Sequence, residues 1–478
     1  IAESYPGYFD KKESMMIRFD YNYFMDEHIG TQHGLSQNDI DGIRPEFNEV
    51  LKRMDDEKAK GLLGFLEIPF NTSLVKDIQS FRQHTDWCDT IALIGIGGSA
   101  LGPQALKNAL ADIYWNELPD EKRGKRCKVY FFDNVDPIEM NSLLDIINIP
   151  TTLFLVISKS GGTTETNANF AILLDTIKKN TRDYKKHIVT ITDPAKGIMR
   201  QITREEGFTS FPIPANVGGR FSVLTAVGLV MAEFIGIDIN GLLHGAAEVI
   251  DRYYGKEVWS NAPLLNAAFH YCFDVKKNKR INVLMPYTRK LFLFADWFRQ
   301  LWAESLGKRF DIYGNEVMVG LTPVAALGTV DQHSQLQLYL EGPNDKVITF
   351  LKLQDFGTDI TIPEFYKGKA ELDYLSGKSL RKLNGFEEQA TELVLKEASR
   401  PNASIILPEL DERSAGQLIM FLEMQTAYAG YLYNINPYDQ PAVEQGKRFT
   451  FGLLHRPGYD EYEQKFKSGY QKKENYIL

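Results

Sequence analysis

The chain has 478 residues, 44% of them hydrophobic, and carries 54 Lys plus Arg against 63 Asp plus Glu for a net charge of −9. That length exceeds a single hydrophobic core, which stops growing at roughly 250–300 residues, so two or three units are expected. The 29 Phe, 23 Tyr and 5 Trp exclude a disordered chain, and the acidic balance excludes a general polyanion binder, which needs a basic stripe to displace counterions.

Nucleic acid is therefore not an expected partner, whereas a small charged substrate in a local cationic pocket is compatible. Cys88, Cys127 and Cys272 are far apart and form no CxxC pair, which fits a reducing compartment. No apolar run approaches the roughly 18–20 residues of a membrane span. The chain opens on Ile1 without a charged-then-apolar leader, so a cytoplasmic location and no membrane partner are expected.

Residues 1–60 are mixed and aromatic-spotted without a clean period. From there strand-like and helix-like pieces alternate. Residues 90–94, 128–132, 152–157 and 188–192 are short, continuous apolar runs of the kind buried on both faces of a sheet. Amphipathic stretches near 100–112, 137–147 and 163–179 lie between them, so successive βαβ units imply a parallel sheet. Residues 220–236 and 243–254 read as helical connection. After the Asn261-Ala-Pro263 break a second round follows: helix-like 264–273, strand-like 281–286, helix-like 289–305 and 330–340, strand-like 346–353, helix-like 379–399, strand-like 404–407 and helix-like 412–432. Residues 456–478 are polar and charged, and both chain ends are expected to wrap the fold or fray.

Two loops carry the first chemical signal. Gly95-Ile-Gly97-Gly98-Ser99-Ala100 follows an apolar strand and opens a helix, placing bare N–H groups where an anion can sit. It also matches part of a dinucleotide fingerprint, but Asp133 lies 38 positions after Gly95, where that pattern expects an acid after roughly 20. Ser158-Lys159-Ser160-Gly161-Gly162-Thr163-Thr164 also follows a buried strand, and gathers hydroxyls and a lysine around two glycines. A simple helix cap needs one hydroxyl; this set suits a phosphomonoester. It lacks the Gly-Lys-Ser/Thr of a Walker A loop, so nucleoside triphosphate chemistry is not supported.

Further along, Arg220 follows Gly218-Gly219 and can clamp a carboxylate or a developing oxyanion. Gln300 and Glu304 are four apart and share one helix face just before Gly307. A glutamate there opposes the helix macrodipole, which invites a functional reason. His333, among Asp331, Gln332 and Ser334, is a candidate proton donor or acceptor. Gln440 and Lys447 flank a proline turn. No histidine shows a metal-ligand spacing, so a catalytic metal site is not favoured.

Read together, the motifs resemble the glucose-6-phosphate isomerase (phosphoglucose isomerase) family, its bacterial branch most closely. The resemblance runs from Gly95 to the chain's end through Gly-Ile-Gly-Gly-Ser99, Ser158-Lys-Ser160, Gly-Gly-Arg220-Phe-Ser, Gln300-Leu-Trp-Ala-Glu304-Ser, Gln332-His333 and Asp-Gln440-Pro-Ala-Val-Glu-Gln-Gly-Lys447. It implies an α/β fold of two doubly wound parallel-sheet sugar-isomerase (SIS) domains, three-layer α/β/α, with N- and C-terminal extensions. The expected divisions are an N-terminal segment 1–74 packing on the second domain, a first SIS domain 75–240, a second 241–440, and a C-terminal arm 441–478 carrying Lys447.

The same resemblance implies a cofactor-free homodimer that interconverts glucose 6-phosphate and fructose 6-phosphate. Ser158, Ser160, Thr163 and the Lys159 backbone would hold the phosphate, and Gly98 and Ser99 would line the sugar site. Glu304 would move a proton between C1 and C2 through a cis-enediol, Arg220 would stabilise the enediolate, and Gln300 and Gln440 would position the substrate. His333, supplied by the partner subunit, and Lys447 would open the ring. A proton-transfer isomerase needs such a base and a fixed cation, whereas a hydride-shift isomerase needs a metal cluster to polarise both oxygens. Rival readings are an isomerase of another sugar phosphate such as mannose 6-phosphate, a non-catalytic sugar-phosphate-binding regulator of the same fold, and a dinucleotide-dependent dehydrogenase. The net acidity need not oppose a site that gathers Lys159, Arg220 and Lys447 around a dianion.

Overall fold

A computed structural model describes residues 15–478; the first fourteen residues of the expected N-terminal segment lie outside it. Twelve strands are described: Arg18–Asp20 (β1), Thr90–Ile94 (β2), Lys128–Phe132 (β3), Thr152–Ile157 (β4), Ile188–Thr192 (β5), Thr209–Pro212 (β6), Ile281–Pro286 (β7), Lys308–Phe310 (β8), Glu316–Val319 (β9), Thr322–Ala325 (β10), Lys346–Asp355 (β11) and Asn402–Glu409 (β12). They form two five-stranded sheets and the antiparallel β8–β9 pair.

The first sheet runs β3-β2-β4-β5-β6 and is parallel throughout. Its central strands are buried from end to end, as the continuous apolar runs require. The core on one of its faces joins Ile94, Phe154 and Val156 to Phe170 and Leu173 of the helix Thr164–Asn180. Each fully buried side chain of this size contributes about 1.5–3 kcal/mol. Chain order reverses between β2 and β4: β3 lies on one side of β2, and the later strands continue beyond β4. Ligands of open α/β sheets bind at the carboxyl ends of strands at such a reversal, and β2 and β4 are the two strands followed by the glycine loops.

The second sheet runs β1-β12-β11-β7-β10. Strands β12, β11, β7 and β10 pair in parallel, as expected, and β1 adds an antiparallel edge against β12, Asp20 opposite Ser404. The segment before residue 60 also contains the helix Arg44–Ala59, whose buried face is Phe47, Val50 and Met54. The helical stretch expected at 330–340 is broken into a 3-10 turn, Val330–Gln332, and the helix Leu336–Glu341.

The helix Glu412–Leu432 is buried at every residue from Ser414 to Leu432 and packs against Ile239–Tyr253, Ala262–Lys277 and Arg289–Leu306. Arg289–Leu306 in turn packs on Leu101–Leu110, which follows the first glycine loop. Residues through Pro437 form one compact unit, and Tyr438–Leu478 a second. Rather than fraying, the second contains two helices, Glu444–Leu453 and Asp460–Gly469, packed on each other through Phe449, Tyr462 and Phe466. Among the described residues no helix is long and apolar enough to cross a membrane.

Candidate active site

The first glycine loop is shaped by close approach. A Cβ at Gly98 would lie 2.3 Å from the carbonyl carbon and oxygen of Gly219 and 2.7 Å from the Arg220 nitrogen, so only glycine lets the two loops touch. Gly97 adopts φ +58°, a left-handed conformation open to glycine at little cost, and a Cβ there would lie 2.9 Å from the Gln300 amide nitrogen. Gly98 and Ser99 are half-buried. Leu101–Leu110 starts with no side-chain cap, leaving its first N–H groups to an anion.

Ser158 directly follows β4 and is 2% exposed. Its Oγ donates to Thr163 Oγ1 at 3.2 Å and accepts from the Gly161 N–H at 3.1 Å, while Thr192 Oγ1 donates to its carbonyl at 2.7 Å. Ser160 is exposed, and its Oγ accepts from the Gly162 N–H at 3.2 Å. Gly161, at φ +67°, runs so close to Met199 that a Cβ would meet its nitrogen at 2.5 Å. Thr163 is the N-cap residue of Thr164–Asn180 but makes no side-chain cap, so this helix also presents bare N–H groups. By contrast, Asp136 caps the neighbouring helix Pro137–Ile146.

The Lys159 side chain turns back onto the protein. Its ammonium donates to the carbonyls of Ala215 at 2.8 Å and Val217 at 2.6 Å, tying the second glycine loop to the segment that leads into Gly218-Gly219-Arg220. Burial holds its pKa below the usual lysine range, against the pull of Asp193. The cation is thus engaged by two protein carbonyls.

Arg220 lies in the 3-10 turn Gly219–Phe221 and is 2% exposed. Nε donates to Ser305 Oγ at 2.7 Å, Nη1 to Glu304 Oε2 at 3.3 Å, and Nη2 to the Pro437 carbonyl. The other oxygen of Glu304, Oε1, accepts from Gln300 Nε2 at 3.0 Å. The carboxylate is thus held between an amide of its own helix and a buried guanidinium, with its side chain 34% exposed. Gln300 Oε1 is buried without a partner among the described residues. Ser305 and the Pro437 carbonyl are anchors that sequence reading missed. Arg220 finds them 85 and 217 positions away, and no local pattern carries that information.

The structure brings together Gly97, Gly98, Arg220, Gln300 and Glu304. His333 caps the 3-10 turn Val330–Gln332 and is exposed. Beside it Gln332 is fixed by Tyr287 Oη and the Glu387 carbonyl at 3.1 and 3.0 Å. Gln440 and Lys447 belong to the other unit, where Lys447 pairs with Glu444 at 2.6 Å. Among the described residues no group of three or more His, Cys, Asp or Glu side chains is arranged to hold a metal.

Glycine loops after β2 and β4, with a carboxylate beside a fixed guanidinium, define an open α/β protein whose candidate site suits a small anion. Comparison with known proteins narrows the class. Residues 80–471 match the family model described as phosphoglucose isomerase. A glucose-6-phosphate isomerase of Carboxydothermus hydrogenoformans is 41% identical over 453 residues, covering 94% of this chain and 97% of that protein. One from Thermus thermophilus is 36% identical over 409 residues, covering 85% and 94%. The crystal structure of a hypothetical protein from Thermus thermophilus superposes with a TM-score of 0.82 at 34% identity, covering 92% of this chain and all of that one. A glucose-6-phosphate isomerase from Chlamydia trachomatis shares the fold, with a TM-score of 0.68 at 24% identity over 87% of this chain and 77% of that one. The chain belongs to the phosphoglucose isomerase family.

Proposed function

We propose a residue-level mechanism for the reaction of this family, the interconversion of glucose 6-phosphate and fructose 6-phosphate. The observation that carries it is the Glu304 carboxylate held between Gln300 and Arg220 beside the first glycine loop, with the second glycine loop following the adjacent strand at the same sheet reversal. The phosphate sits on the Ser158, Ser160 and Thr163 hydroxyls, the Lys159 backbone and the uncapped helix start. Gly98 and Ser99 line the sugar, and Gln300 Oε1 accepts from a sugar hydroxyl, with Gln440 as a second positioning amide.

His333 and Lys447 open the ring, one protonating the ring oxygen and the other relaying the proton from the O1 hydroxyl. Glu304 then removes the C2 proton of the open-chain aldose. The C2–H electrons form the C1–C2 double bond, and the carbonyl electrons move to O1. Arg220 faces that developing negative charge, and because Ser305 and Pro437 already hold the guanidinium, little reorganisation is needed as the charge appears. Return of the proton to C1 and loss of the O2 hydroxyl proton give the ketose. Net, one hydrogen moves from C2 to C1 and one hydroxyl proton from O2 to O1.

The exposure of His333 supports its service in the site of a partner subunit within a homodimer. Three buried free cysteines fit a cytoplasmic location. The decisive experiment is Glu304→Gln followed by NMR in deuterated water: exchange of the C2 proton should vanish while substrate still binds. Retained exchange would assign the base to another residue.

A further inference from the structure

A cavity of about 320 Å³ opens at the amino end of β12 beside the antiparallel β1. Asp20, Tyr23, His28, Glu392, Asn402 and Ser404 line it, and none belongs to the constellation around Glu304. The substrate crevice of such sheets lies at the opposite, carboxyl ends of the strands.

The lining is rich in acceptors. Glu392 is already satisfied, because Oε1 accepts from Ser404 Oγ at 2.7 Å and Oε2 faces the Lys352 ammonium. Lys352 also faces Glu388 at 3.4 Å, so the nearby cation is paired. His28 lies 3.5 Å from Glu27. Asp20 is different: Oδ1 takes both the backbone N–H of Asn22 at 3.1 Å and its side-chain amide at 2.6 Å. No hydrogen bond from the described residues reaches Asp20 Oδ2.

Asn402 supplies the independent observation. It is 0% exposed, its Nδ2 donates to the Arg400 carbonyl at 3.1 Å, and its Oδ1 has no partner among the described residues. A buried amide oxygen without a donor costs on the order of 1–3 kcal/mol, so native proteins rarely leave one bare. Asn402 is one of the residues lining the cavity, whose wall also carries the open Asp20 carboxylate oxygen.

We infer that this cavity binds a small organic ammonium compound, whose –NH₃⁺ group bridges the Asp20 carboxylate and the Asn402 amide oxygen. An ammonium carries three donors and no acceptor, which matches two open acceptors and leaves one donor for the Tyr23 or Ser404 hydroxyl. The volume is near the small end of ligand pockets, about 300–1,000 Å³, and suits an amino alcohol or short diamine. Because β1 forms one wall through its pairing with β12, occupancy also stabilises the docked edge strand by mass action.

The test is saturation-transfer NMR on the full chain, with ethanolamine and 1,4-diaminobutane as probes, ethylene glycol as the uncharged control, and a competing arm in KCl. Saturable amine binding at about millimolar affinity is expected, with no glycol signal. Asp20→Asn should weaken the amine about tenfold or more with unchanged melting and isomerase turnover, and Asn402→Ala, which removes the amide oxygen, should weaken it as well. No saturable amine signal, equal binding of glycol, or indifference to both substitutions would overturn the proposal. So would displacement by KCl at equal concentration, which would assign the site to an inorganic monovalent cation.

Discussion

Gly98→Ala tests whether contact between two loop backbones sets the catalytic geometry. The added Cβ would lie 2.3 Å from Gly219 C and O, where ordinary contact begins at 3.4 Å, so the loops must part by about 1 Å. Both obstructing groups are backbone, which has no rotamer to change. The Arg220 Nη1 to Glu304 Oε2 bond, at 3.3 Å, is already long, and a further 1 Å would break it. Misplacing a reacting group by about 1 Å costs roughly 10²-fold in rate, and losing a preformed oxyanion donor roughly 10²–10³-fold. The expected result is a kcat lower by about 10²–10³-fold, with the phosphate loop intact and KM little changed. Stability should fall by about 1–3 kcal/mol from overpacking. Turnover is read by coupling fructose 6-phosphate conversion to a glucose-6-phosphate-oxidising enzyme, and stability by denaturant titration. Gly219→Ala is the control, since a Cβ there meets nothing within 4 Å; its stability should match the parent. A Gly98→Ala enzyme with kcat within about threefold of the parent would refute the reasoning.

Two further substitutions probe charges outside the reacting centre. Glu388 has its pKa pushed up to about 7, first by burial and then by Glu392, against the attraction of Lys352. The folded value lies above the unfolded one, so this group's stabilising contribution is complete below about pH 4.5 and is lost as pH rises through 7, about 3 kcal/mol across the window. Glu388→Gln should therefore gain on the parent between pH 4.5 and pH 8 in denaturant titrations; parallel pH profiles would show that the carboxyl is ionised throughout. Lys159→Met keeps the stem but removes both bonds to Ala215 and Val217, at a cost of about 2 kcal/mol. Melting temperature and kcat should fall together, because the strut orients the Arg220 turn. A rise in KM alone, with unchanged melting, would mean that the ammonium binds phosphate directly.

How far the sequence foretold the structure depends on burial. Strands β2, β4, β5 and β7 coincide with their predicted runs residue for residue, because a strand in the middle of a parallel sheet must be apolar along most of its length; β3 lies at a sheet edge but is apolar enough, Lys-Val-Tyr-Phe-Phe, to coincide as well. The edge strands β1, β6 and β10 are short and mixed in polarity, Arg-Phe-Asp, Thr-Ser-Phe-Pro and Thr-Pro-Val-Ala. Their strand character comes from a neighbour's free edge, which lies elsewhere in the chain. The candidate site divides in the same way. Gln300 and Glu304 were legible because helical spacing is local, and the glycine loops because each opens a helix. The use of Lys159 as a strut was not, since its acceptors are carbonyls 56 and 58 positions away, and a carbonyl belongs to every residue alike.

Glu304 shows why a local conflict in sequence is informative. It is two residues from Leu306, the end of its helix, where the macrodipole disfavours an anion by about 0.3–1 kcal/mol. Two cations answer the conflict. Lys308 is 8% exposed, and its Nζ donates to the carbonyls of Glu304 and Ser305, satisfying the helix end. The guanidinium of Arg220 meets the carboxylate itself. A helix selected for stability alone would carry its cation at position 304 and need neither buried partner. Lys308 takes over the capping that a basic residue there would give, which leaves the carboxylate fixed by Gln300 and Arg220 yet still partly open to the crevice, the arrangement a proton-transferring base requires.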